Sequence, residues 1–298
     1  ELYNSNNCAG SPVLASTQTI TSGSPLPDSP PFAIAQSGAY NWVVTYSGDR
    51  FNKPATSPCG SESFFVDVNP VSIATQAKTG SIDIPDGDSV TAGTPVFDTA
   101  VISGASANAG GTVTYNLFEV STNCSGTPVA TSTKNVTNGL LPAGSPFAIS
   151  PPGTYEWQAV YSGDANNQGA MSACGEETVV ALITQPTIST LLSTDFILPG
   201  GSVHDTANLA GASVNAGGTV TYNVYDTVDC SGTPVFSLGP VSVVDGVVPD
   251  SASQDFATPN NYQWQAVYSG DVNNSGAISE CGTEPLLVGK KTPTIETV

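Results

Sequence analysis

The chain has 298 residues, and its six lysines and arginines face 25 aspartates and glutamates, which gives a formal net charge of −19. Nucleic-acid binding needs clustered cations that replace the counterions of the phosphates, and anionic lipid surfaces make the same demand, so we expect neither partner. No apolar run reaches the roughly 20 residues of a membrane helix, and we expect no membrane insertion by this segment. The length allows two or three domains.

Glycine and proline are frequent, at 30 and 23 residues, and methionine occurs once. This composition favours short strands separated by turns. No window shows a helical period, so the sequence predicts an all-β protein.

One segment occurs three times along the chain. The copies are "YNWVVTYSGDRFNKPATSPCGSE" (40–62), "YEWQAVYSGDANNQGAMSACGEE" (155–177) and "YQWQAVYSGDVNNSGAISECGTE" (262–284). An upstream segment, "NAGGTVTYN", also recurs at 108–116 and 215–223. The repeats thus return at a period of roughly 110, which suits one complete β-sandwich domain of ~100 residues rather than a solenoid coil.

The repeats predict four parts of the chain. Residues 1–70 form a domain that lacks its first strands, 71–182 and 183–289 form complete domains, and 290–298 begin a further repeat or supply an exchanged strand. The junctions at 67–76 and 181–190 are short and carry a proline, so we expect restricted hinging between domains.

The repeated strands alternate with period two. In "YEWQAVY" (155–161), Tyr155, Trp157, Ala159 and Tyr161 share one face. A polar opposite face is typical of antiparallel sheets with one side in water. The pattern predicts that the repeated tryptophans anchor the domain cores, namely Trp42, Trp157 and Trp264.

The six cysteines fall two per repeat, at nearly constant separations of 51, 50 and 51 along the chain. The spacing lacks the close Cys-x-x-Cys pairs of zinc sites, so the sequence predicts three disulfides: Cys8–Cys59, Cys124–Cys174 and Cys230–Cys281. Disulfides persist in oxidising compartments, which indicates an extracellular or cell-surface protein. Sequons at Asn135 and Asn273 are candidate glycosylation sites that fit this location.

The stretch "GGTVTYNLFE…LPAGSPFAISPPGTYEWQAVYSGDANNQGAMSACGEETVV" resembles the bacterial immunoglobulin-like repeats of group 3 type, which are tandem modules of secreted and cell-surface proteins. The resemblance implies tandem immunoglobulin-like antiparallel β-sandwiches that serve as a stalk, spacer, adhesive module or filament component. The positions depart from the antibody pattern, because Trp157 lies on a late strand, shortly before Cys174. We therefore expect each disulfide at the sandwich edge, joining the loop after "TYNLFEV" to the strand that follows "YSGDANN".

Catalysis is not expected. The single histidine, His204, aligns with Phe97 of the preceding repeat, which indicates a structural position. Glu176 and Glu177 could form an acidic pair of the glycosidase kind, but the other repeats break the pair. We therefore expect no catalytic residues and no enzyme activity.

The turns "DANNQG" (164–169) and "DVNNSG" (271–276) resemble the beginning of calcium-binding loops. The candidate ligands are Asp164, Asn166, Asp271 and Asn273. Neither loop has a glutamate at its twelfth position, and the first repeat places cations in its turn, "DRFNKP". The alternative is a hairpin turn in which Gly163 takes a positive φ and Asp164 accepts hydrogen bonds from its own backbone. We expect no other cofactor.

The first repeat is shorter than the second, because only the first seven positions of the chain precede Cys8, whereas the whole stretch from residue 71 precedes Cys124. Two interpretations stay open: the chain is a segment of a longer repeat protein, or copies join head to tail with a strand of one completing the next. The sequence therefore predicts a non-catalytic stalk, spacer or filament segment that contacts neighbouring repeats. The alternative is an adhesin that binds a glycan or a protein ligand through loops at the sandwich ends.

Overall fold

The computed structural model describes residues 1–22 and 24–290. We call residues 1–70 unit 1, 71–182 unit 2 and 183–289 unit 3. Among the described residues, regular structure consists of strands and one short 3-10 turn, Val120–Thr122.

The strand bounds are as follows. Unit 1 contains β1 (Leu2–Tyr3), β2 (Gly38–Trp42), β3 (Thr45–Tyr46), β4 (Ala55–Thr56) and β5 (Ser63–Val66). Unit 2 contains β6 (Ser72–Thr79), β7 (Ile82–Asp83), β8 (Ser89–Thr91), β9 (Pro95–Ser103), β10 (Thr112–Glu119), β11 (Ala130–Asn135), β12 (Phe147–Ala148), β13 (Gly153–Tyr161), β14 (Ala170–Met171) and β15 (Thr178–Leu182). Unit 3 contains β16 (Thr187–Leu192), β17 (Phe196–Ile197), β18 (Gly201–Val203), β19 (Asp205–Ala210), β20 (Thr219–Tyr225), β21 (Phe236–Ser242), β22 (Gln254–Phe256), β23 (Asn260–Tyr268), β24 (Ala277–Ile278) and β25 (Pro285–Val288).

Unit 2 is an immunoglobulin-like β-sandwich. One sheet has the strand order β11-β10-β13-β15-β8, and the facing sheet has the order β12-β9-β6-β7. All pairs are antiparallel except β8 with β15, because the first part of the chain crosses from one sheet to the edge of the other. Unit 3 has the equivalent first sheet, β21-β20-β23-β25-β17, with β17 parallel to β25 at the same edge, while its second layer consists of two separate pairs, β16–β19 and β18–β22.

The core of each complete unit follows from period-two patterning. In β10, Val113, Tyr115 and Leu117 are fully buried, while the residues between them face outward. Trp157 on β13 and Trp264 on β23 lie at the centres of two separate clusters, one in unit 2 and one in unit 3. Burial of an aromatic side chain of about 150–250 Å² at about 25 cal/mol per Å² contributes roughly 4 to 6 kcal/mol as an upper bound.

Unit 1 differs, because its described residues form a single three-stranded sheet, β1-β2-β5, with the short pair β3–β4 beside it. Trp42, predicted to anchor a core, is only half-buried, and Val44 on the same face is 62 % exposed. No second sheet covers this face within the described residues, so Trp42 does not lie inside a sandwich core there.

All three predicted cysteine pairs are bridged, and their Cα atoms lie 5.8 to 6.0 Å apart. Cys124 follows the 3-10 turn after β10, and Cys174 lies in the turn between β14 and β15. The disulfide thus joins two loops at one end of a sheet, whereas the sequence placed its second cysteine in a strand. The part of the chain that the structure describes contains no helix long and apolar enough to cross a membrane.

The two complete units differ in length at one place. The segment that leads from Ala77 to Asp98 in unit 2 is longer than its equivalent in unit 3, from Leu192 to Asp205. The additional residues of unit 2 form the β6–β7 turn and the chain after it, where Ile84 is buried. The last predicted part of the chain, 290–298, lies outside the described residues except for Lys290.

Candidate functional site

The repeated Ser-Gly-Asp turn of unit 2 is built around one carboxylate. Asp164 Oδ1 accepts hydrogen bonds from the backbone N–H groups of Asn166 (2.8 Å) and Asn167 (3.0 Å). Gly163 has φ +72°, and a Cβ there would lie 2.6 Å from the carbonyl oxygen of Asn167. Only glycine therefore fits before the aspartate, since other residues rarely take this φ and would clash.

A second set of bonds ties the turn to its own domain. Asp164 Oδ2 accepts a 2.6 Å bond from the N–H of Gly110, the first glycine of the repeated "NAGG" segment. The buried Asn167 side chain donates to Ser106 Oγ (3.0 Å) and accepts from Ser106 N–H (2.8 Å). The same four kinds of contact recur in unit 3, where they are made by Asp271, Gly217, Asn274 and Ser213. The turn is a rigid corner in both complete units.

The linker that enters unit 2 pairs with this corner. Asn69 N–H donates to the carbonyl oxygen of Asn166 (2.7 Å), and Gln168 N–H donates to the carbonyl oxygen of Asn69 (2.9 Å). The two bonds form a parallel β-bridge between Asn69 and Asn167. The linker between units 1 and 2 is therefore held by the domain that follows it.

The linker between units 2 and 3 is held in the same way. Thr184 N–H donates to the carbonyl oxygen of Asn273 (2.8 Å), and Ser275 N–H donates to the carbonyl oxygen of Thr184 (2.9 Å). Thr184 forms the corresponding parallel bridge with Asn274. We name each set of turn and bridged linker residue an interdomain clamp: the first consists of Asn69 with 164–168, and the second of Thr184 with 271–275.

The middle asparagine of each turn reaches further, into the body of the preceding unit. Asn166 Nδ2 donates to the carbonyl oxygen of Ala35 (2.8 Å), and its Oδ1 accepts from Ser37 N–H (3.0 Å). At the next junction, Asn273 Oδ1 accepts from Ser150 Oγ (2.8 Å). Each junction is thus fixed at two places, at the linker and at a loop of the preceding domain.

These contacts involve all four calcium candidates. Burial raises the pKa of Asp164, but hydrogen bonds from Gly110, Asn166 and Asn167 outweigh it and hold that pKa below its ordinary value. The same balance lowers the pKa of Asp271. Asn166 and Asn273 direct their side chains to the preceding unit. A cation would have to displace these donors, since the carboxylate oxygens already accept three or more hydrogen bonds.

The two candidate glycosylation sites differ in their surroundings. Asn273 is 4 % exposed and its Oδ1 accepts the bond from Ser150, so a glycan on its amide would require the junction to open, and the site stays a prediction. Asn135, at the end of β11, is exposed and stays a candidate.

Each complete unit also buries a pair of carboxyl groups that the sequence did not predict. Asp98 on β9 and Glu177 just before β15 lie on different sheets, within hydrogen-bonding reach of one another. Asp98 Oδ1 accepts from Gln76 N–H (3.2 Å), and Glu177 Oε1 accepts from Ala77 N–H. Their remaining oxygens, Oδ2 and Oε2, have no donor among the described residues. A single proton shared between these two oxygens satisfies both.

Unit 3 repeats the pair with Asp205 and Glu284, where Glu284 Oε1 accepts from Leu192 N–H (2.9 Å). Burial first, and then the neighbouring glutamate charge, raises the pKa of Asp98 to about 9 and that of Asp205 to about 8. Burial likewise raises the pKa of both glutamates. The sequence does contain one indication of these pairs. The two aspartates, Asp98 and Asp205, are separated by the same number of residues as the two glutamates, Glu177 and Glu284, so both positions are repeated.

The other titratable residues that the sequence singled out, Glu176 and His204, do not join these pairs. Glu176 is exposed while its neighbour Glu177 is buried, so the two point to opposite sides of the strand start. His204 is half-buried, in line with its alignment to Phe97. Glu156 lies beside Cys124 and Cys174, but these sulfurs are bonded to each other, and the carboxylate accepts a 2.8 Å bond from Cys124 N–H.

No protein-family model matches this chain, and no curated protein matches it. Among solved structures, the chain is similar to the fibronectin(III)-like modules of Clostridium thermocellum CbhA, with 14% identity over 74% of this chain and 100% of that one, at a TM-score of 0.26. A putative membrane anchored protein from Corynebacterium diphtheriae shows 12% identity over 88% and 71% of the two chains, at a TM-score of 0.23. The FN1–FN3 domains of chicken CNTN1 show 9% identity over 84% and 76%, at a TM-score of 0.24. TM-scores this low do not define a shared fold. The strand order and the two facing layers of units 2 and 3 themselves define the immunoglobulin-like sandwich.

Proposed function

We propose that the chain is a non-catalytic, extracellular spacer in which tandem immunoglobulin-like domains of the group 3 repeat type are held at fixed angles. The observation that carries this proposal is the interdomain clamp, which recurs with the same backbone bonds at both junctions. A flexible chain of domains would leave its linkers in water, whereas here each linker residue is bridged to the next domain.

The location is supported by the chemistry of the cysteines. Every cysteine is in a disulfide, and such bonds form and persist outside the reducing cytoplasm. Each bond closes a loop of 50 or 51 residues at a sheet end, where it resists unfolding and proteolysis of the domain. Both properties suit a stalk or fibre on a cell surface, with neighbouring repeats as its contacts.

We further propose that the spacer works without a metal or other cofactor. The hydrogen-bond donors that a calcium ion would replace at the turns come from the protein backbone itself. Rigidity at the junctions is therefore supplied by asparagine and aspartate, and it should survive chelation of divalent cations.

Electron microscopy of single molecules tests the spacer role. Classes of the native chain should show one narrow distribution of the angle between units 2 and 3, with or without EDTA. In a Thr184→Pro/Asn273→Ala variant the angle should broaden, because the proline removes the N–H donor of Thr184 and the alanine removes the contact to Ser150. Asn135→Ala, away from the junction, is the matched control. A broad distribution in the native chain would contradict the proposal, and narrowing by calcium would contradict its metal-free form.

The alternative function is an adhesin that binds a ligand through loops at a sandwich end. One observation favours it: the turn of unit 1 carries Phe51 where units 2 and 3 have the asparagines that contact the preceding domain. An aromatic ring at a loop position that differs between repeats is the feature expected of a binding loop.

A further inference from the structure

Unit 2 has a cover over one edge of its sandwich that unit 3 lacks. The cover consists of residues 78–87, and unit 3 has only 193–194 in its place. It is bonded to the edge strand β15, because Gly87 N–H donates to the carbonyl oxygen of Thr178 (3.0 Å) and Asp86 Oδ1 accepts from the N–H of the same threonine (2.9 Å). The two complete units therefore present different surfaces at this edge.

The core of unit 3 is filled without a cover. In unit 2, Ile84 of the cover is buried among the core residues. Unit 3 has Leu192 at the position of Ala77, since the two pair with the equivalent aspartates, Asp205 and Asp98. Leu192 packs against the core cluster of unit 3, and the larger side chain supplies apolar volume that the cover supplies in unit 2. The space left by the missing cover thus lies outside the core.

This space is an open groove of about 550 Å³ along the edge of unit 3. Three apolar side chains that line it are largely exposed: Leu191 at 71 %, Phe196 at 50 % and Leu287 at 46 %. The strand registers give their counterparts in unit 2, which are Gln76, Ser89 and Val180. Loss of a cover ordinarily favours polar residues on the surface that it uncovers, whereas here a leucine and a phenylalanine replace two polar residues. An exposed apolar patch of this kind is typical of an interaction site.

The groove lies away from the places where successive domains meet. Unit 2 contacts the domain that follows it through the linker residue Thr184 and through Ser150. Neither residue belongs to the edge that the cover occupies. A domain joined to unit 3 in the same way leaves the groove open.

Charge indicates what the groove binds. Every lysine and arginine of the chain lies outside unit 3, and the exposed Asp195 lines the groove. In unit 2 the carboxylate of Asp86 accepts from both the N–H and the hydroxyl of Thr178. Pro285 stands at the position of this threonine and has neither donor. An acidic segment therefore lacks its hydrogen-bond donors in unit 3, whereas a basic segment is attracted by Asp195 and by the negative charge of the unit.

We propose that the groove of unit 3 is the docking site for an extended, basic segment of a partner protein. Apolar side chains of the segment pack on Leu191, Phe196 and Leu287, and a lysine or arginine pairs with Asp195. One N–H of the segment donates to the carbonyl oxygen of Pro285, as the cover of unit 2 does to its own edge strand. A second copy of the chain is a poor occupant, because two chains of net charge −19 repel each other. The proposal adds a partner to the spacer and does not depend on the clamps.

A peptide titration tests the proposal. The probe is an acetylated and amidated hexapeptide with the cover sequence 82–87, in which lysine replaces both aspartates. Added to the complete chain at low salt, it should shift the backbone amide resonances of 191–196 and 286–288 in ¹⁵N spectra, and binding should weaken with added salt. The hexapeptide that keeps its two aspartates should cause no shift.

Matched variants take their residues from unit 2. L191Q/F196S should weaken binding of the probe at least fivefold, because both apolar contacts are lost, and D195N should weaken it further in combination. V244T changes an exposed valine on another loop of unit 3 to the residue of unit 2, and it should leave binding unchanged. Amide resonances of unit 3 away from the groove should keep their positions in every variant, which shows that the domain is folded.

The proposal is overturned if the probe does not shift 191–196, if the aspartate peptide binds equally well, or if L191Q/F196S binds as the native chain does. Concentration-dependent dimers in sedimentation equilibrium that L191Q/F196S abolishes would also overturn it, in favour of self-association. None of these variants changes a residue of the second clamp, so failure here is separable from failure of the spacer role.

Discussion

In the cores of units 2 and 3, one buried aspartate holds a proton at neutral pH, and loss of that proton destabilises the folded state. Asp98 and Asp205 keep theirs in the folded chain up to about pH 9 and about pH 8, whereas an unfolded aspartate ionises near pH 3.9. Between these limits the native state binds more protons than the unfolded state. Stability therefore falls as the pH rises, by up to about 1.4 kcal/mol per pH unit for each retained proton, and levels off above the native pKa.

The prediction is that thermal unfolding of the native chain shifts to a lower temperature between pH 5 and pH 8.5, as followed by calorimetry. Asp205→Asn should reduce this shift, because the amide donates to Glu284 without titrating. Asp226→Asn, an exposed substitution on the same unit, is the control. A native chain whose unfolding temperature is constant or rises over this range would contradict the shared proton. Asp164 and Asp271 have lowered pKa values, so the stability that they contribute is lost as the pH falls, and only at acid pH.

These carboxyl pairs could not be predicted from the sequence. Asp98 and Glu177 are far apart in the chain, and the residues around them are typical of an ordinary strand and an ordinary turn. The repeat spacing marked both as fixed, but only the packing of one sheet on the other brings them together. The same is true of the clamps, since backbone N–H and C=O groups make the bridges and leave no signature in side-chain chemistry.

Among the elements, the late hairpin and its disulfide were predictable from three copies of one segment. The tryptophan, the Ser-Gly-Asp turn and the second cysteine keep their order in every copy, and the structure gives them the roles of core, corner and bridge in units 2 and 3. Unit 1 keeps the same letters, yet Trp42 stays half-buried because no second sheet faces it in the described residues. A motif fixes local shape here, while burial depends on what packs against it.

The prediction at this scale concerns the disulfide of unit 3. Replacement of Cys230 and Cys281 by alanine opens a loop of 51 residues, and the chain-entropy relation gives a loss of about 4 kcal/mol in the free energy of unfolding. Denaturant unfolding of unit 3, followed by the fluorescence of Trp264 in a Trp42→Phe/Trp157→Phe background, measures this loss. The same pair of changes at Cys124 and Cys174 should leave the unit 3 transition in place. An unchanged midpoint in the Cys230/Cys281 variant would show that the bond is not a stabilising element.

At the scale of the whole molecule, the central claim is that the junctions are fixed. Each clamp combines two backbone bonds with contacts from a middle asparagine, and the turn that makes it is tied to its own domain by buried Asn167 or Asn274. The sequence indicated restricted hinging from short proline-containing linkers. It could not show that the following domain, through its Ser-Gly-Asp turn, is the part that holds the linker.

Residual dipolar couplings of backbone amides in units 2 and 3 test this claim most directly. If the second clamp is closed in solution, one alignment tensor fits both units with the orientation seen here, and Thr184→Pro/Asn273→Ala separates the fit into two tensors of unequal magnitude. Two different tensors in the native chain would mean that units 2 and 3 move independently, and the account of the chain as a rigid spacer would be wrong.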